Sequence, residues 1–358
     1  MNFFETTITE EAKDNVMKCL DSGFISEGQF VDLFEKDIEH VFGYKNCVAV
    51  NSCTSALHLA LVLAGVKPGD EVILPAQTFK ATGDAIIHCG AKPVFVDIDK
   101  VTGNIDPYNV WNRTTKAKAV ISVSWGGTPP DLARLEDVTK ACGIALIQDN
   151  AHALGSTYND EPIANFGDFS CFSFQAIKAL TTGDGGMLTC KHPHDYYRAR
   201  KLRWFDIDRE NDKVGFDGER MYNSHEAGFK YHMNNIAAAI GLGNLHGVKE
   251  RQARRKWVAD QYDEAFLVAN RVSRKGSSDW LYTAIVDLRD IFIRMMRSKG
   301  IPVSVVHNGI DRNSIFGGID RSLTNQRYWD EHHICLPCHS GLTDEDVQQV
   351  CDAIKSGW

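Results

Sequence analysis

The sequence predicts an α/β protein: a mostly parallel sheet flanked by helices, with a smaller C-terminal α+β domain. Short, fully apolar strands alternate with helical segments through the first half, the pattern of parallel strands covered on both faces. After GGMLTCK the alternation stops, and a polar stretch rich in Arg, Asp and Asn runs over 191–227. At 358 residues the chain exceeds the usual size of one hydrophobic core. The division expected is 1–235 for the larger domain and 236–358 for the smaller.

TTITEEAKDNVMKCLDSG opens the chain with helical spacing (Ala12, Val16, Met17, Leu20), a capping Thr and a Gly stop. QFVDLFEKDIEHVFG reads as a second helix. Strand VAVN then leads into helix SALHLALVLAG, and EVILPA into ATGDAIIHCG. KPVFVDID is followed by a loop and a helical segment, KAVISVS by DLARLEDVTKACG, and IALIQD by a Gly-containing loop. Beyond the polar stretch, NNIAAAIGLGNLHGV is a helix whose Ala- and Gly-rich face suits close packing, including against a second copy. WLYTAIVDL reads as a strand, IFIRMMRSKG as a helix, and a last helix runs to Trp358. Repeats, low-complexity tracts and Pro/Ser-rich linkers are missing from the sequence.

Hydrophobic residues make up 43% of the chain and charged residues 24%, an ordinary globular balance. A net charge of -8 argues against a nucleic-acid or anionic-membrane surface, since both demand clustered Lys and Arg. Neither a secretory leader nor a membrane-spanning apolar run is legible, so a cytoplasmic protein is expected. The ten cysteines are scattered. Cys47, Cys89, Cys142, Cys171 and Cys190 sit in apolar segments, as free buried thiols do. HHICLPCH holds Cys335 and Cys338 at metal-like spacing beside His332, His333 and His339. A closed zinc site recruits a second such pair, and the sequence has none, so no metal is expected. ICLPC reads instead as a buried strand leading to a helix capped by Thr343.

In open parallel sheets ligands collect at the carboxyl ends of the strands. There IALIQD ends in Asp149, a carboxylate that needs a positive partner. CFSFQAIKALTTGDGG delivers Lys178 into a loop ending in Gly183, Gly185 and Gly186. Its apolar neighbours Ile177, Ala179 and Leu180 predict an amine titrating below the ordinary value of about 10.4, suited to imine formation. NSCTSAL places Thr54 and Ser55 at a strand-to-helix turn whose backbone amides form a phosphate cradle. Cradle, buried acid and imine-forming lysine together meet the needs of pyridoxal 5'-phosphate (PLP). Taken singly each has a plain reading: a cap, a structural acid like Asp97, a solvated lysine.

In their order, NSCTSALHLAL, GDEVILPAQTFKATGDAIIHCGAKPVFVDID, LIQDNAHALGS, FGDFSCFSFQAIKALTTGDGG and GFKYHMNNIAAAIGLGNL resemble the DegT/DnrJ/EryC1/StrS sugar aminotransferases. The likeness covers nearly the whole chain, LPCHSGLTDEDVQQV included, and implies the PLP-dependent fold type I. Lys178 would carry the imine with the cofactor and shuttle protons, and Asp149 would pair with the ring nitrogen. Phe79 would stack on the ring, and His152 would bond the ring hydroxyl where the family usually has Gln. Cys53, Thr54 and Ser173 fall where the family holds the phosphate. Cys53 replaces a Gly, so only its amide should act. Lys230 stands where many members present an Asn to a neighbouring subunit's phosphate, implying a homodimer with shared active sites; its plain reading is a solvated lysine. Asp206 takes a Gly place, while His307 and Arg312 lie near the substrate-facing loop without its common His-Tyr-x-Pro run.

The expected reaction moves an amino group from L-glutamate to the ketone of a nucleotide-linked deoxysugar. Members that dehydrate or deoxygenate the sugar carry His in place of the lysine, so Lys178 argues against that branch. A carbocyclic ketone such as an inosose, an aromatic product, or a non-catalytic relative of the same fold remain alternatives. The sugar, its nucleotide and the carbon aminated are not legible.

Overall fold

The computed structural model describes residues 1–209 and 211–358. Helices α1 (Glu10–Ser22) and α2 (Gln29–Phe42) precede an alternating run. That run is β1 (Cys47–Val50), α3 (Cys53–Leu63), β2 (Glu71–Pro75), α4 (Lys80–His88), β3 (Lys92–Val96), α5 (Pro107–Trp111), β4 (Ala117–Val123), α6 (Leu132–Cys142) and β5 (Ala145–Asp149). A small ribbon of β6 (Thr157–Tyr158) and β7 (Glu161–Pro162) comes before β8 (Phe169–Ser173) and β9 (Gly186–Cys190). Then follow α7 (Pro193–Leu202), α8 (Asn235–Leu245), α9 (Val248–Ala265), β10 (Tyr282–Ile285), α10 (Arg289–Ser298), α11 (Thr324–His332), β11 (His333–Leu336) and α12 (Asp344–Lys355).

The main sheet has seven strands in the order β1-β9-β8-β5-β4-β2-β3. From β8 to β3 all pairings are parallel, and β9 runs antiparallel to both β1 and β8. The alternation of apolar residues was therefore a sound guide to a mostly parallel sheet. Successive side chains point to opposite faces, so Ala49, Val120 and Leu146 pack with α2 and α6. Val48, Val50, Ile121 and Ile147 pack with α3 and α4 on the other side. A third apolar cluster joins α9, β10, α10, β11 and α12. A fourth, built on Trp125, Trp280 and Trp329, sits beside the carboxyl ends of the strands.

Edge strands expose unpaired backbone groups, and β1 satisfies its free side with side chains. Glu35 accepts from Ala49 N at 2.7 Å, Glu39 accepts from Cys47 N at 2.9 Å, and the Arg203 guanidinium donates to Ala49 O at 2.9 Å. Glu35 and Arg203 are both buried and ion-paired at 2.5 Å, so neither charge is left uncompensated.

Three local expectations change. Of the predicted α1 stripe only Ala12 is buried; Met17 and Leu20 face outward, and Cys19 takes the inner place. The Gly241 and Gly243 face of α8 is spent inside the chain. A Cβ on Gly243 would meet Ala12 N at 2.2 Å, and one on Gly241 would meet the Phe34 ring at 2.6 Å. Cys89 and Cys142 are only half-buried, although all ten cysteines are free. In HHICLPCH each polar side chain has a partner. Cys335 lies 3.4 Å from Thr283 Oγ1, and Cys338 donates to Asp279 O at 3.4 Å. His332 and His333 bond main-chain carbonyls, and His339 meets Glu5 and Asn2 O. The helix after it carries the expected Thr343 cap as a full capping box with Asp346.

Candidate active site

The carboxyl ends of β5 and β8, the turn after β1 and the loop after β2 converge on a cavity of about 490 Å³. Cys53, Thr54, Phe79, Asp149, His152, Ser173 and Lys178 all line it. Seven of the eight expected site residues are thus brought together. Lys230 is not among them: it is exposed, pairs with Trp204 in an isolated bridge, and its Nζ lies 5.5 Å from that indole.

The α3 N-terminus explains the cradle. Ser52 is the N-cap and accepts from Ser55 N at 3.1 Å, leaving the first-turn amides of Cys53 and Thr54 without intrahelical acceptors at the cavity wall. The Ser55 hydroxyl, expected in the cradle, instead donates to Asn51 Oδ1 at 2.6 Å and stabilises the turn. Gly186 of β9 lies directly behind this turn, where a Cβ would meet Ser52 C at 2.4 Å.

Asp149 is buried, accepts from Thr82 Oγ1 at 2.7 Å and from Ala151 N at 3.2 Å, and lies 4.0 Å from Cys53 Sγ. Burial pushes its pKa up, while those hydrogen bonds and the Lys178 charge pull it back. Burial lowers Lys178 to about 8, against the opposing pull of Cys53 and Asp149. Burial, then the nearby Lys178 charge, hold His152 well below its ordinary value and bring His307 to about 4, so both rings are neutral at pH 7. His307 lines the cavity with its ring 5.1 Å from Phe79. Arg312 does not reach it and pairs with Asp330 at 3.2 Å.

Two residues escaped the sequence reading: Thr82, which is buried behind the cavity wall and donates to Asp149, and Trp280, which lines the cavity. Thr82 stands one helical turn after Phe79, a spacing that could have revealed it. Trp280 lies just before β10, over a hundred positions from Lys178 in the chain, so no local pattern pointed to it.

A buried strand-end acid, a depressed lysine and an anion cradle in one cavity define an enzyme of the PLP-dependent fold type I class. The donor set fits that cofactor: two free amides and the Thr54 and Ser173 hydroxyls for a phosphate, and a carboxylate aimed at the same space. Residues 6–355 match the DegT/DnrJ/EryC1/StrS aminotransferase family. The chain belongs to that family and is a PLP-dependent transaminase acting in sugar transamination. It is 35% identical to the spore coat polysaccharide biosynthesis protein SpsC of Bacillus subtilis over 97% of this chain and 94% of that one. It is 33% identical to the GDP-perosamine synthase of Caulobacter vibrioides over 96% and 94%. Among solved structures, the sugar aminotransferase CalS13 from Micromonospora echinospora superposes with TM-score 0.93 at 30% identity over the whole of both chains. The PMP form of Spr1654 from Streptococcus pneumoniae does so with TM-score 0.92 at 30% identity, covering 99% and 98%.

Proposed function

We propose that Lys178 is the residue that bonds the cofactor aldehyde, and that L-glutamate supplies the amino group to the ketone of a nucleotide-linked deoxysugar. The carrying observation is the meeting of Lys178, Asp149 and the α3 N-terminus in one cavity. Bound there, PLP supplies an electron sink that makes the proton on the reacting carbon removable. Asp149, held by Thr82 and the Ala151 amide, keeps a proton on the ring nitrogen. The Cys53 and Thr54 amides, with the Thr54 and Ser173 hydroxyls, bind the phosphate. Phe79 covers the ring, and neutral His152 bonds the ring hydroxyl. Lys178, titrating near 8, is poised to take and return a proton close to neutral pH.

The nucleotide link draws support from the GDP-sugar in the name of the Caulobacter vibrioides relative. Lys178 is the only cation among the described lining residues, so glutamate carboxylates and nucleotide phosphates need a further positive charge. Lys230 of a second copy supplies one, in a cytoplasmic homodimer with shared sites. Borohydride reduction of the holoenzyme and peptide mapping should find the cofactor on Lys178; an adduct on another lysine overturns the assignment. Keto-sugar nucleotides that bleach the pyridoxamine form then identify the acceptor.

A further inference from the structure

Trp280 is buried at the wall of the cavity and touches three groups there. Lys178 Nζ lies 3.8 Å from the centroid of its ring. The His152 ring stacks on it at 4.0 Å with planes 27° apart, and Phe4 stacks at 5.3 Å and 18°. Its Nε1 donates to Ile177 O at 3.0 Å, one residue before the lysine. The indole thus grips the lysine arm at both ends, through the main chain at its root and through the ring face at its amine. A cation over an indole face is attracted by the ring quadrupole, most strongly when water is excluded. The N-terminal arm backs the indole: Thr6 Oγ1 donates to Ala176 O at 3.0 Å, and Glu5 pairs with His339 at 3.2 Å.

We propose that Trp280 is a positioning residue that holds the ε-amino group of Lys178 in the half of the cycle when that amine is not bonded to the cofactor. The inference rests on the reading of Lys178 as the cofactor-binding lysine. Transamination frees the amine whenever the amino group is stored on the cofactor. A free lysine side chain samples many rotamers, and a group that must move a proton at one carbon loses rate with each position it visits in vain. The other titratable groups lining the cavity are Asp149 from β5, Cys53 from α3, His152 and His307 from flanking loops, and Asp184 from the glycine loop. Both histidines are neutral at pH 7, which leaves the indole as the aromatic face that stabilises the charge.

Borohydride mapping comes first: an adduct away from Lys178 overturns the underlying reading. With the adduct on Lys178, the pyridoxamine-form holoenzyme is titrated by trace acetylation at a series of pH values, and labelling of Lys178 is read by peptide mapping. The expected midpoint falls from wild type to W280F to W280L, by about one pH unit at Leu, because the charged amine loses its ring face. Conversion of the pyridoxamine form by 2-oxoglutarate, followed by absorbance, should slow in the same order with little change in half-saturation. A midpoint that stays put, or rises towards that of a solvated lysine, overturns the proposal and leaves Trp280 as packing alone. Fluorotryptophan incorporated throughout the chain guards against misfolded variants, since it weakens the quadrupole with little change of shape. It should lower the midpoint in wild type and leave W280F unmoved; equal shifts in both overturn the proposal.

Discussion

Asp206 shows why a departure from a family pattern needs its backbone. Phe205 and Asp206 have φ of 57° and 58°, the left-handed region that favours glycine. Asp tolerates it, and here its carboxylate accepts from His225 N at 2.7 Å and Glu226 N at 3.3 Å, tying down the returning strand of the loop. Asp206→Ala should therefore lose about 1–2 kcal/mol of stability in thermal or denaturant unfolding, through strain and unsatisfied amides. Asp206→Gly, which loses only the bonds, should lose less. The placement of Lys178 and Asp149 in one cavity was legible because it depends on local surroundings: a strand end, apolar neighbours, a glycine loop. Trp280 depends on a tertiary contact that no local spacing encodes. Two predictions follow from the legible pair. Asp149→Asn should retain some cofactor yet lose several orders of magnitude in turnover, at about 1.4 kcal/mol of barrier for each tenfold. Near-wild-type rates would make the carboxylate structural only. Burial lowers the Lys178 amine to about 8, so below that pH it is charged and cannot attack an aldehyde. Uptake of PLP by cofactor-free protein, followed by absorbance, should accelerate up to about pH 8 and then level off; a rise continuing to pH 10 would show a solvated lysine.

Elements were readable wherever one face is apolar, and opaque elsewhere. The β1-to-β5 run was legible because buried parallel strands are continuous apolar runs between helices. Three helices were not: α7 lies within the polar stretch, α11 is short, and α9 carries charges all round. The buried side of α9 includes Arg255 beside Val258, Ala259 and Tyr262, so its inward stripe does not read as hydrophobic. β9 and α3 approach closely at the cavity wall. A methyl group on Gly186 would meet Ser52 C at 2.4 Å and Cys53 N at 2.5 Å, both backbone atoms of the cradle. Gly186→Ala should cost about 1–3 kcal/mol by overpacking and displace those amides. Its Kd for PLP, measured by absorbance titration, should rise at least about tenfold, the equivalent of 1.4 kcal/mol. Unchanged affinity in a folded variant would place the phosphate elsewhere.

At the scale of the molecule, one chain leaves apolar surface exposed and a single lysine in its cavity. Met17, Leu20, Phe24, Ile25 and Leu33 form exposed apolar surface on and between the first two helices, with Phe24 78% exposed. Phe216 and Met221 are also exposed, on the polar excursion that leads to Lys230. Lys230 does not line its own cavity, and that cavity offers incoming anions no described cation besides Lys178. The proposed twofold dimer would account for all three at once, if each copy covers the other's apolar surface and lends it a lysine. The test is complementation. Lys178→Ala should be inactive, and Lys230→Glu severely impaired with weakened PLP binding, since a carboxylate then faces the phosphate. If sites are shared, subunits exchanged between the two variants form dimers in which one site holds both lesions and the other holds neither. Mixing should then restore part of the activity, with the regained sites binding PLP as tightly as wild type. Exchange is first verified with differently tagged subunits. Mixed dimers as inactive as their parents, or an active species sedimenting at the 39.9 kDa of one chain, would show that each active site is complete within its own subunit.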